Sequence, residues 1–431
     1  MKALAVVAFL ALTMGGAVLL LWLVRPRPPE PLPTCLFTDG RVENRSRVFS
    51  ASSAGDIDGD GVTDVLTLES TEARDEARVY SGKTRLLLRT FQREVADFGG
   101  GSALACGDLD GDGQSEFLVP RPVPIVHGAW PGEVLVLSGA DGSVRETLRG
   151  ATLGDGFGSS LAALGDVDGD SVADFAVASP SSHPDDANPN AEHGRGAVTA
   201  FSGRELRLLT RIEGRHEDAR FGSALAVLGD LDGDGASEWL ASATEEDGVG
   251  CVEFHSGRTG ELVRTVRGDV VDPGNSDAAS GFGSALAALG DIDGDGAPDF
   301  AAASIEQWVA LLSGRDGSCL RLVPAHPQDD RGWYTSFGTA LAPAGDVDRD
   351  GVTDVVVAAA NWSYRMQPHG LVGGRVFVYS GRTGVLLVDL RDRDGLSNLG
   401  SSIVPLGDTD GDGVFELLAT TQHELRVYSL R

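Results

Sequence analysis

The chain predicts an all-β fold: a seven-bladed β-propeller of four-stranded blades. Three observations carry this. One acidic stretch recurs seven times: "GDIDGDGVTD" from Gly55, "GDLDGDGQSE" from Gly107, "GDVDGDSVAD" from Gly165, "GDLDGDGASE" from Gly229, "GDIDGDGAPD" from Gly290, "GDVDRDGVTD" from Gly345 and "GDTDGDGVFE" from Gly407. The copies are 52–64 residues apart, the period of a supersecondary unit too small to bury a core alone. Each unit holds four apolar runs of 4–7 residues, punctuated by Gly, Ser and Asp, which reads as strands rather than helices. Radial stacking of such units gives a propeller; a solenoid is the rival arrangement.

In chain order the first feature is not a strand. Residues 3–24 form an uncharged run of 22 residues after Met1 and Lys2. As a helix this run would measure about 33 Å, enough to cross a hydrocarbon core. The following "LWLVRPRPPEPLPT" offers no small-residue cleavage site, which favours an uncleaved signal anchor over a cleaved signal. Residues 25–33 read as a Pro-rich stalk, and residues 34–431 as the propeller. The basic residues on the two sides of the apolar run leave its orientation open.

The seventh unit closes with "LRVYSLR", one run short of four, while "TCLFTDG" (residues 34–40) precedes the first acidic loop. We read residues 34–40 as the missing strand, clasping the last blade onto the start of the chain. Within a unit the order is constant. A Phe-Gly and a small apolar run ("GFGSSLAALGD") lead to the acidic loop, and "DFAVAS" or "DVVVAA" follows it. A variable connection leads to a third run ("VTAFSG", "VFVYSG"), and an "SGRTG"-type turn leads to the fourth.

Positions 1, 3, 5 and 9 of each loop are acidic. They are Asp56, Asp58, Asp60 and Asp64; Asp108, Asp110, Asp112 and Glu116; Asp166, Asp168, Asp170 and Asp174; Asp230, Asp232, Asp234 and Glu238; Asp291, Asp293, Asp295 and Asp299; Asp346, Asp348, Asp350 and Asp354; and Asp408, Asp410, Asp412 and Glu416. These loops alone account for all but one unit of the formal charge of −29. Acidity so concentrated is not a diffuse solvated face. Alternating carboxylates aimed at one centre, with a backbone carbonyl from position 7, form a hard-oxygen set suited to Ca²⁺, up to seven ions in all. Position 6 is Gly in six copies and Ser171 in the third, as a turn with positive φ requires. Arg349 in the sixth loop is expected to weaken that site. An EF-hand needs Glu at position 12, where this chain has Thr67, Val119, Val177, Ala241, Ala302, Val357 and Ala419, and it needs helical flanks.

At this point the repeats resemble a known family. "FGSALAVLGDLDGDGASEWLASA" is similar to the FG-GAP repeat of integrin alpha-chain propellers and their bacterial relatives, over about residues 50–431. The resemblance rests on Phe-Gly, the DxDxDGxx(D/E) loop and the "SG" turn in fixed order. Two units depart from it: "RVFSASSAGD" lacks Phe-Gly, and the seventh has Leu399-Gly400. The resemblance implies a propeller, calcium in the hairpins between first and second strands, and a binding rather than a catalytic role.

The remaining residues narrow the function. The acidic surface excludes a nucleic-acid binder. The histidines form no nucleophile or metal pattern, and Ser159 and Ser223 lack a strand–elbow–helix context. Cys35, Cys106, Cys251 and Cys319 lie in different units on expected strands. They read as buried free thiols, with a Cys251–Cys319 pair between adjacent blades as the alternative. Calcium argues for a propeller outside the cytoplasm, at the cell envelope or surface, where Ca²⁺ is plentiful. The expected function is a membrane-anchored binding or adhesion module for a protein or glycan. The alternatives are an extracytoplasmic carbohydrate-active hydrolase or lyase, and an envelope structural protein. The variable connections lie opposite the acidic loops and contain Trp130, Trp333, Tyr334, Trp362 and Tyr364, candidates for the ligand face. "RGD" at residues 267–269 is short enough to occur by chance and carries no weight.

Overall fold

A computed structural model describes residues 33–36, 47–70, 75–92, 101–121, 132–151, 155–180, 195–272, 281–304, 307–325, 336–360, 373–391 and 398–431. They form seven four-stranded antiparallel sheets. In the first, Arg47–Gly55, Asp64–Ser70, Asp75–Tyr80 and Leu87–Gln92 pair in sequence order. Five further blades repeat this order. The first strand of each blade touches the first strands of both neighbouring blades, and blade one meets blade seven, so the ring is closed around its first strands.

The clasp expected from residues 34–40 is present over Pro33–Leu36, which pairs antiparallel with Leu425–Ser429 of blade seven. That sheet runs Pro33–Leu36, Leu425–Ser429, Glu416–Thr420, Ile403–Gly407 from the outside inward. The pairing covers an edge that would otherwise template association with another chain.

Each second and third strand is sandwiched between two neighbouring blades and is buried on both faces. Asp174–Ser179 and Ala197–Phe201 are buried at every residue. This explains why "DFAVAS" reads as a continuous apolar run rather than an alternation. The fourth strand lies at the rim, where Leu208–Glu213 has no buried residue. Seven apolar clusters fill the seven seams. Leu118, Val134 and Val136 of blade two, for example, pack on Phe157, Phe175 and Val177 of blade three. First strands reach nine residues in four blades, longer than the apolar runs suggest, with irregularities in their register.

The Phe-Gly pair has a packing reason. Phe282 is fully buried, and Gly283 takes φ of 88° with Ser242 Cβ only 2.5 Å from where its own Cβ would lie. In blade seven Leu399 fills the same place, also fully buried, before Gly400 at φ of 91°.

Among the described residues no helix is long and apolar enough to cross a membrane. The apolar run at 3–24 and residues 25–32 of the stalk lie outside the described residues, as do Trp130, Trp333, Tyr334, Trp362 and Tyr364, while Pro33, expected as the last stalk residue, opens the clasp strand instead. Cys106, Cys251 and Cys319 are free thiols, so Cys251 and Cys319 do not pair. The expectation of burial fails for Cys319, which is exposed because it opens the rim strand Cys319–Pro324.

Candidate metal centres

Each acidic loop joins the first strand of a blade to the second, and in the first six blades the "SG" turn between third and fourth strands lies against it. Where the ninth position is aspartate, it ties the two together. In loop five Asp299 Oδ2 accepts the Ile292 and Asp293 N–H groups at 2.8 and 3.3 Å, while Oδ1 accepts the Gly314 N–H at 3.0 Å. Asp64 holds Gly82, Asp174 holds Gly203 and Asp354 holds Gly381 in the same way. This contact requires glycine in the turn: a Cβ on Gly314 would lie 1.8 Å from Pro298 O.

The first-position acid organises the loop backbone. Asp166 accepts the Gly169, Asp170 and Ser171 N–H groups at 2.7, 3.0 and 2.9 Å, and Asp170 Oδ1 accepts the Val172 N–H at 2.8 Å. The carboxylates therefore converge. In loops one to three, positions 1, 3 and 9 each bring one oxygen to within 4.8 Å of the others: Asp56, Asp58 and Asp64; Asp108, Asp110 and Glu116; Asp166, Asp168 and Asp174. In loop four the convergent set is Asp230, Asp232 and Asp234. Asp291 and Asp408 keep all three first-position contacts, and Asp346 keeps two, from the Asp350 and Gly351 N–H groups.

Two departures from the loop pattern are accommodated by the backbone. Ser171 adopts φ of 69° and Arg349 φ of 62°, left-handed conformations that the other loops give to glycine. Arg349 reaches away to the next blade, where Nη2 donates to Gly413 O at 2.9 Å. Among the described contacts it makes no ion pair with its own carboxylates.

Burial pushes the ninth-position carboxyls up: Asp64, Glu116, Asp174, Glu238 and Asp299 all lie above their ordinary range, and Asp354 rises to about 6. The nearby third-position aspartate adds to this, and the backbone N–H donors oppose it. Asp108 is held low by the Gly113 N–H and its neighbours. A carboxylate pushed up by burial beside another carboxylate gains from a bound cation. Glu116, Glu238 and Glu416 each keep a buried Oε1 with no hydrogen-bond partner. The all-oxygen donor set and these orphaned oxygens fit a hard divalent cation of the calcium class.

One participant escaped the sequence reading. The residue after "SG" is basic in five blades, and it folds back onto position 5. Arg204 Nε lies 3.0 Å from Asp170 Oδ2 and Nη2 lies 2.9 Å from Asp170 O. Arg258, Arg315 and Arg382 repeat this on Asp234, Asp295 and Asp350, and Lys83 Nζ donates to Asp60 O. Blade two has Ala140 there, and Arg145 instead lies 3.5 Å from Asp110 and 3.4 Å from Glu116. In blade seven Arg431 pairs with Asp412 at 2.5 Å. The signal was the recurrent third letter of "SGR", read only as part of a turn. Arg267 of the "RGD" triplet pairs with Asp247 and with Asp269 of the same triplet, at 3.0 and 3.3 Å.

The fold and loops define a class: a seven-bladed propeller whose hairpins between first and second strands carry acidic, cation-compatible loops on one face. Comparison with known proteins makes this specific. The FG-GAP-like repeat family matches residues 56–119 and 291–357, and the FG-GAP repeat family matches residues 157–201 and 337–379. Integrin alpha-PS2 of Drosophila melanogaster is 30% identical over 212 residues, covering 47% of this chain and 15% of that protein. Integrin alpha-V of Gallus gallus is 28% identical over 268 residues, covering 60% of this chain and 25% of that protein. Integrin alpha-4 of Xenopus laevis is 32% identical over 159 residues, covering 34% and 14%. The chain thus matches no more than a quarter of the length of these relatives. It is an integrin alpha-like FG-GAP propeller.

Proposed function

We propose that this propeller is a calcium-loaded binding module that works outside the cytoplasm, tethered to the membrane through residues 3–24. The observation that supports it best is the convergence of carboxylate oxygens within 4.8 Å in successive loops of an integrin alpha-like repeat. In this reading the 28 acids at positions 1, 3, 5 and 9 hold up to seven Ca²⁺ ions. The cations neutralise repulsion and lock each hairpin to its neighbouring "SG" turn. The face with the acidic loops is uniform and structural. The opposite face, with connections of varied length and Trp130, Trp333, Tyr334, Trp362 and Tyr364, takes a protein ligand, as an adhesion module would.

Capture of partners from envelope fractions, with calcium and with chelator, tests the reading. Calcium-dependent capture that falls on Trp333→Ala and Trp362→Ala, in a protein of unchanged folding, is the expected result. Loss of capture on altering an "SG" turn, with the aromatic variants binding normally, places the ligand on the other face and ends this reading.

A further inference from the structure

A second cluster of metal-capable side chains lies outside the acidic loops, in the seam between blades three and four. Cys251 opens the third strand of blade four, Cys251–His255, and alternation puts Cys251, Glu253 and His255 on one face. Cys251 packs in the seam with Ala176 and Val198 of blade three. Glu246 comes from the connection between second and third strands of blade four, in the short turn Glu246–Gly248. Cys251 is 0%, Glu253 3% and Glu246 7% exposed. One ligand atom from each lies within 4.8 Å of the other two. His216, on the connection from blade three, brings Nε2 to 3.6 Å from Glu246 Oε1.

The cluster is partly compensated as it stands. Glu253 is contacted by Arg215 Nε at 3.4 Å and by His255 Nε2 at 3.1 Å, whose Nδ1 is held at 3.0 Å by Gly260 O. Among the described residues Glu246 has only His216 as an ion-pair partner. Burial and the two glutamates push the Cys251 thiol up, so without a cation it keeps its proton beside them. Two buried carboxylates and a thiol carry a desolvation cost that Arg215, His216 and His255 offset in part.

We propose that Cys251, Glu246, Glu253 and His216 form a transition-metal site of the zinc class. Sulfur, oxygen and nitrogen donors together select a softer ion than the all-oxygen loops do. Binding forms a metal–sulfur bond and releases the thiol proton to solvent. A tetrahedral shell with one sulfur places ligand atoms about 3.3–3.5 Å apart, so the trio of Cys251, Glu246 and Glu253, within 4.8 Å of one another, closes by about 1.5 Å at most, and His216 moves in from its contact with Glu246 to complete the shell. The second–third connection of blade four and the link from blade three both lie opposite the acidic loops, so the site opens away from them. His255, fixed by Gly260 and bonded to Glu253, orients that ligand from behind.

Cobalt(II) titration of the purified full chain in excess calcium tests this, because only a thiolate site gives sulfur-to-cobalt charge-transfer absorption. One equivalent is expected to saturate the band, and one equivalent of Zn²⁺ to remove it. Cys251→Ser should abolish the band and Cys319→Ser should keep it. Glu246→Gln should weaken cobalt affinity about tenfold or more. No band in the wild type, or a band that survives in folded Cys251→Ser, overturns the proposal. If Cys251→Ser fails to fold, Glu246→Gln and His216→Ala decide: weakened affinity in either supports the site, and unchanged affinity in both overturns it.

Discussion

Replacing Asp299 by Ala should cost more than replacing Asp291 by Ala, although both acids belong to the same loop. Asp299 is fully buried and receives the Ile292 and Gly314 N–H groups, both buried, at 2.8 and 3.0 Å. Its removal orphans two buried donors, each worth about 1–3 kcal/mol. The carboxylate it removes was itself pushed up by burial, which returns part of the loss. The net expectation is about 2–4 kcal/mol in calcium-free buffer. Asp291 caps Gly294, Asp295 and Gly296, all exposed. Water replaces those bonds, and the loss is about 1 kcal/mol. Urea unfolding of a protein beginning at Glu30, followed by circular dichroism in chelator, gives the two midpoints. Adding saturating calcium should widen the gap between wild type and Asp291→Ala, because the variant forgoes the binding term of that loop. Equal midpoints for the two variants in chelator would refute the view that the ninth acid is the structural tie.

Chelation should lower the heating midpoint of the wild type, since a ligand that binds only the folded form adds about 2.7 kcal/mol per site at a hundredfold excess over Kd; an unchanged midpoint with no calcium by elemental analysis removes calcium from the account. Deleting residues 1–42 should lower the midpoint and promote aggregation relative to a protein beginning at Glu30, because it uncovers Leu425–Ser429; equal solubility and heat stability would contradict the clasp. Gly314→Ala should destabilise by about 3 kcal/mol, since its Cβ meets Pro298 O at 1.8 Å; a midpoint within error of wild type would show that the turn moves freely. Arg315→Gln should leave the urea midpoint nearly unchanged, because its ion pair with Asp295 is exposed; a clear loss in that assay would mark the arginine as structural.

The repeat architecture was readable because it is written in local terms. Apolar runs set the strands, Phe282-Gly283 marks a tight seam, and four acids around a glycine mark each hairpin. Even the clasp was visible, as a fourth run displaced to residues 34–40. What was not readable depends on neighbours distant in the chain. Arg204 meets Asp170 only because the "SG" turn lies on the acidic loop. Cys319 looks like any strand cysteine until the fourth strand is placed at the rim. Glu246, Cys251 and His216 come from three segments and two blades, so no spacing in the sequence announces them. Ninth-position acids were read only as ligands, whereas their second task, holding Gly314 and its counterparts, requires the third and fourth strands to be in place.

The pairing of Pro33–Leu36 with Leu425–Ser429 also sets a timetable for synthesis. Cys35 and its partner Val427 are 392 residues apart. At about 5–20 residues per second, the ribosome makes the second strand roughly 20–80 s after the first. Blades one to six can stack on one another as they emerge, while the opening strand waits without its partner. Circularisation therefore waits until Leu425–Ser429 has been made. Removing Leu425–Ser429 would leave both Pro33–Leu36 and the exposed side of Glu416–Thr420 unpaired, so its loss should be as damaging to the ring as the loss of Pro33–Leu36.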